Sequence, residues 1–151
     1  MKEFENIDEI LDFAINEEQQ AVDFYMTLAE SAKNEYIKNT FIDFAKEEVN
    51  HKNRLMDIKQ NGLFTMTAET VADLKISDYT VSVHPTPNMT YSDALVLAMK
   101  KEKAAFKLYS KLAERAPNSE LKDVFLSLAA EESKHKLRFE IEYDEFVLKE
   151  N

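Results

Sequence analysis

The sequence predicts an all-α fold, an antiparallel four-helix bundle of two helical hairpins joined by a long crossover, and three observations carry that prediction. A single Gly and three Pro in 151 residues leave few places to break a helix. Apolar residues recur at alternating steps of three and four along four separate stretches, the spacing that keeps one helix face turned towards its neighbours. The chain also repeats itself. Shifting residues 41–55, FIDFAKEEVNHKNRL, by 84 positions lays them on 125–139, FLSLAAEESKHKLRF, with 7 of 15 identical. The same shift lays 14–30 on 98–114 with 7 of 17 identical, so the repeated unit is a hairpin. At this length one domain is expected over 1–151, with hairpins at about 7–60 and 91–149 and a crossover at about 61–90.

The first helix is expected to start after Asn6, with Glu9 as capping-box partner, and to run to about Ala32. Its seam is Ile7, Leu11, Ala14, Glu18, Ala21, Tyr25 and Leu28. The second, about 35–60, carries Phe41, Phe44, Glu48, His51, Leu55 and Ile58, and it stops at Asn61-Gly62, where the only glycine suits a left-handed closing residue. From 63 to 89 the period is lost, and this segment has to travel the length of the bundle; a short helical turn is expected near 68–74. The third helix opens on Thr90 as N-cap with Asp93 near its third position, and its seam is Leu95, Ala98, Glu102, Ala105, Tyr109 and Leu112. Pro117 ends it, and Asn118 or Ser119 caps the fourth helix. There the seam is Leu121, Phe125, Leu128, Glu132, His135 and Phe139, and the tail beyond Glu142 is expected to project.

A formal net charge of -10 and a pI near 4.8, with no basic patch, argue against nucleic acid as a partner. The N-terminus lacks the basic-then-apolar pattern of a signal peptide. The longest purely apolar run, 94–99, falls far short of the roughly 20 residues of a membrane helix, so no membrane partner and a cytoplasmic location are expected. Without cysteine there is no disulfide, thiolate nucleophile or iron-sulfur centre within the chain, and any metal must be held by oxygen and imidazole.

Six polar residues interrupt the four seams: Glu18, Glu48, His51, Glu102, Glu132 and His135. Four carboxylates gathered in one core repel one another and cannot all ionise unaided. Two divalent cations would neutralise them with both imidazoles neutral, and Glu and His three residues apart can offer an oxygen and a nitrogen to the same ion. One Glu from each of two helices plus a Glu-x-x-His from each of the others is the ligand set of di-iron and di-manganese bundles. Tyr25 and Tyr109 lie on the same face two turns beyond Glu18 and Glu102, either as core or with hydroxyls that support the ligand carboxylates or supply an electron. Glu17, Glu47 and Glu131 fall about 100° off the seam and are expected on the surface, as is His84 in the crossover.

Through Glu18-x-x-Ala-x-x-Phe-Tyr, Glu48-x-x-His51, Glu102-x6-Tyr109 and Glu132-x-x-His135, the chain resembles a rubrerythrin-type member of the ferritin-like superfamily over essentially its whole length. The resemblance implies two iron ions, with Glu18 and Glu102 as terminal ligands, Glu48 and Glu132 as bridges, and one histidine to each ion. It implies an oxidoreductase that reduces hydrogen peroxide or dioxygen and protects against oxidative stress. Manganese or zinc would suit the same donors. Full-length rubrerythrins append a four-cysteine rubredoxin domain; this chain has none, so an external donor such as a rubredoxin-like protein is expected. Where peroxidase-type members carry an extra carboxylate one turn after the third-helix ligand, this chain has Ala105, which predicts a more symmetric site. A homodimer is expected. The alternatives are ferritin-type iron oxidation and storage, or a non-catalytic metal-binding bundle.

Overall fold

The computed structural model describes residues 4–66, 71, 74–81, 85, 86 and 88–150. Among them are four long helices, α1 (Ile7–Glu30), α2 (Glu35–Gln60), α3 (Tyr91–Arg115) and α4 (Ser119–Glu150), with a single 3₁₀ turn at Ile76–Asp78 in the crossover. Each start has a local cause. The side chains of Asn6, Asn34 and Asn118 each accept from a backbone amide three residues on at 2.9 Å, and Thr90 accepts from Asp93 at 3.1 Å. One of the amides that a helix start leaves without a partner is satisfied each time. Asn118 rather than Ser119 is therefore the cap of α4. The capping box expected at Asn6 is only half formed, because the Glu9 carboxylate accepts from the amide of Glu5 at 2.8 Å instead of reaching Asn6. At the far end α1 stops at Glu30, short of Ala32, where the Ser31 amide turns back onto the carbonyls of Leu28 and Ala29. α2 closes on Gly62 at φ 60°, with Gly62 N–H donating to Lys59 and Leu63 N–H to Ile58, the paired bonds of a Schellman turn.

The start of α1, the end of α2, the end of α3 and the start of α4 share one apolar cluster, built on Leu11, Leu55, Ile58, Leu112, Phe125 and Leu128. The opposite helix ends share another, built on Phe24, Leu28, Phe41, Leu95, Leu97 and Phe139. Neighbouring helices thus run antiparallel, and the crossover has to travel from one cluster to the other. It is not a bare strap. Phe64, Val71, Leu74 and Tyr79 bury themselves in the first cluster. Val71 and Leu74 belong to the turn expected near 68–74, the rest of which lies outside the described residues, as does His84.

The tail does not project. α4 continues to Glu150, with the Phe146 ring 5.1 Å from Tyr91 at the start of α3 and Lys33 Nζ 4.3 Å above that same ring. Tyr91 also donates its hydroxyl to buried Glu142 at 3.2 Å. The extension is held because both hairpins offer it a ring or a cation. No helix among the described residues is long and apolar enough to cross a membrane.

Candidate metal centre

Between the two apolar clusters all six polar seam residues come together, each only 1–2% exposed. They form two overlapping quartets. One is Glu18, Glu48, His51 and Glu132; the other is Glu48, Glu102, Glu132 and His135; within each, one oxygen or nitrogen per residue lies within 4.8 Å of the others. Glu48 and Glu132 belong to both. His51 Nδ1 stands 2.7 Å from Glu132 and 3.6 Å from both Glu18 and Glu48. His135 Nδ1 stands 2.9 Å from Glu48 and 3.6 Å from Glu102.

Whether these residues fit a metal pair can be judged from their hydrogen bonding. One atom of each, namely Glu18 Oε2, Glu48 Oε1, His51 Nδ1, Glu102 Oε2, Glu132 Oε1 and His135 Nδ1, is buried and left without a hydrogen-bond partner outside the cluster. Six orphaned atoms in one core would cost about 1–3 kcal/mol apiece. All six are Lewis bases converging on a common space, so cations shared between the quartets would satisfy every one at once. The residues fit.

A second layer holds this set in place, and each of its bonds crosses from one hairpin to the other. The Tyr25 hydroxyl of α1 donates to Glu102 on α3, and the Tyr109 hydroxyl of α3 donates to Glu18 on α1. On the opposite side of the bundle His51 Nε2 donates to Glu131 on α4 at 3.0 Å, and His135 Nε2 donates to Glu47 on α2 at 2.5 Å. With the outer nitrogen donating to a carboxylate, Nδ1 is the atom of each ring that faces the cluster. Tyr25 and Tyr109 are thus buried and hydrogen-bonded to Glu102 and Glu18, a contact their spacing left open. Glu47 and Glu131 do not behave as the plain surface residues expected. Their side chains are 47% and 34% exposed, yet each carboxylate ends on a buried imidazole of the other hairpin. A signal was available: both repeats read Glu-Glu-x-x-His, doubling the acid where one ligand would suffice.

Between the protein groups themselves, charge is divided unevenly. Burial, followed by the Glu132 and Glu18 carboxylates, holds Glu48 well above the usual carboxylate range; burial and Glu132 do the same to Glu102. Burial pulls the His51 imidazole down, but Glu132 and Glu18 outweigh it and push it up to about 10. Glu132 is raised by burial and lowered more strongly by contacts from Glu102 and His51, settling at about 2. Burial and then Glu18 keep the Tyr109 hydroxyl protonated, as a donor must be.

The six inner residues match one for one across the repeat, but the symmetry expected from Ala105 does not extend to their charge or to the groups outside them. Arg54 Nη1 approaches Glu131 at 3.5 Å, whereas its repeat counterpart Arg138 lies 5.3 Å over the Tyr36 ring. Phe44 stacks on His135 with ring centroids 4.1 Å apart; its repeat counterpart is Leu128, which has no ring to stack. Beside the carboxylates a cavity of about 30 Å³ opens between α1 and α3, lined by Ala14, Ala21, Ala104 and Ala105 with Tyr25 and Tyr109.

Bundle and cluster together define a ferritin-like carboxylate-histidine protein. The family model that matches is that of rubrerythrin, over residues 9–84 and 93–151, and the chain belongs to that family. Among solved structures it is similar to a hypothetical protein of Pyrococcus furiosus, with 26% identity over 91% of this chain and 87% of that one at a TM-score of 0.71. It is also similar in fold to a Thermotoga maritima protein provisionally described as a ferritin-like diiron-carboxylate protein, with 22% identity over 96% and 99% of the two chains at a TM-score of 0.75. No curated protein matches it significantly.

Proposed function

We propose that this protein is a di-iron oxidoreductase that reduces hydrogen peroxide or dioxygen at the buried cluster, using electrons from an external donor. The observation that carries the reading is the set of six convergent orphaned atoms, whose four carboxylate residues line a cavity of about 30 Å³. That volume suits a water or a two-oxygen molecule and little more. When bound, two iron ions would supply two one-electron changes, enough for peroxide, two electrons and two protons to yield two waters. Glu18 with His51, and Glu102 with His135, would each hold one ion, while Glu48 and Glu132 would bridge the pair. Tyr25 and Tyr109 fix one oxygen of each terminal carboxylate and so aim the other inward. Glu47 and Glu131 hold the imidazoles in the tautomer that presents Nδ1. The short side chains of the alanines leave the cavity open, Tyr25 and Tyr109 bound it, and the apolar clusters above and below exclude bulk water.

The same reading places the protein in the cytoplasm as a homodimer, served by a small reduced electron carrier such as a rubredoxin-like protein. Single-turnover mixing of the reduced iron-loaded protein with peroxide and with dioxygen tests it. Rapid oxidation by at least one of them, with two irons oxidised per peroxide consumed, is expected. Inertness towards both would sink the reading, and a large closed shell on size exclusion would replace it with iron storage.

A further inference from the structure

The two halves of the cluster share the same inner residues but stand in different fields. Glu131, which receives the proton-bearing nitrogen of His51, also faces the Arg54 guanidinium at 3.5 Å. Glu47, which receives that of His135, has no Lys or Arg paired with it among the described residues, because Arg138 sits over Tyr36 instead. An uncompensated carboxylate draws more strongly on the N–H of its histidine and makes the far nitrogen a better donor. A compensated one does so less. The cation beside Glu131 also repels a metal ion in the nearer half directly, so both effects carry the same sign. Phe44 adds to the difference by stacking on His135 and fixing its ring, whereas the repeat counterpart of Phe44 is Leu128, which has no aromatic face.

We propose that the two half-sites bind metal unequally, with Glu102–His135 the tighter, and that Arg54 acts as the positioning residue that weakens Glu18–His51 by neutralising Glu131. The inference rests on the two-ion reading above. It assigns Arg54, at the wet edge of the bundle, a function that its exposure conceals.

Because a second divalent ion binds less readily than the first even in a symmetric pair, the test compares variants with one half-site left. The probe is Co(II), whose visible bands report each half-site without turnover. His51→Ala retains Glu102–His135, and His135→Ala retains Glu18–His51. The first is expected to bind one Co(II) about tenfold more tightly than the second, a ratio at the lower end of outer-layer effects. Adding Arg54→Gln to His135→Ala should close most of that gap, while Arg54→Lys, which keeps the charge, should leave it open. Arg138→Gln in the His51→Ala background should change nothing. Equal affinities in the two single-histidine variants would overturn the proposal, as would an Arg54→Gln change that leaves the weaker half-site where it was. Wild-type protein binding two Co(II) alongside such equality would sink the inequality alone; wild-type protein binding fewer than two would sink the two-ion reading itself.

Discussion

At the scale of single residues, Glu48 and Glu132 each belong to both quartets and are the positions whose loss should cost most. Glu48→Ala and Glu132→Ala should each retain neither ion at stoichiometric metal, as read by elemental analysis after gel filtration. His51→Ala and His135→Ala should each retain one. The flanking Glu47→Gln and Glu131→Gln, which a surface position would render silent, should weaken metal binding by roughly 10–100-fold, as changes to outer-layer partners do. Unchanged affinity in both would mean that their contacts with the histidines do not persist in solution. The six inner residues were legible in the sequence because a step of three or four names the face on which a side chain lies, and a charged side chain on a buried face is conspicuous. Glu47 and Glu131 were not, because the period places them 100° away and cannot say that a helix of the other hairpin brings an imidazole to meet them.

Among the elements, helix ends could be read to within two residues because they are set by local chemistry, an Asn or Thr oxygen on a free amide or a glycine at positive φ. Gly62→Ala places a Cβ on a residue at φ 60°, where nothing lies within 4 Å, so backbone strain alone decides its cost. It should lower stability by about 1 kcal/mol, or roughly 2–4 °C in melting temperature, with metal content unaltered. Asn34→Ala should cost about the same through its cap. The crossover yielded less to sequence reading. Phe64, Leu74 and Tyr79 keep no regular spacing, and what buries them is the path of the chain over the bundle. Leu74→Ala should therefore be the more damaging change, about 2–5 kcal/mol by urea denaturation. A loss below 1 kcal/mol would show the crossover to be loosely attached.

For the whole molecule, the cluster ties stability to metal and to pH. Glu48 and Glu102 have raised carboxyl pKa values, so between the ordinary 4.5 and those higher values the folded chelated protein holds protons that the unfolded chain has released. Its stability must then fall as pH rises through that window. His51, raised from 6.5 to about 10, adds stability that is complete below 6.5 and lost as pH climbs through 10. Glu132, lowered to about 2, acts in the opposite sense and gives up its contribution only as pH falls below 4.5 towards 2. Metal has to displace the protons on Glu48, Glu102 and His51, so loading should release protons into a weakly buffered solution. Saturation at a hundred times the dissociation constant adds about 2.7 kcal/mol for each ion. Loaded protein should thus melt several degrees above chelated protein at pH 7.5, with the gap closing towards pH 5; equal melting temperatures at pH 7.5 would mean that the carboxylates do not share a site. The polar layer between two greasy ones also works as a detent. A bundle apolar from end to end could slip one hairpin along the other by a helical turn, about 5.4 Å, and lose little. Here such a slip would drive carboxylates into leucine and phenylalanine, a penalty of several kcal/mol per charge. The acids and imidazoles that make the core costly therefore also leave it a single alignment in which to close.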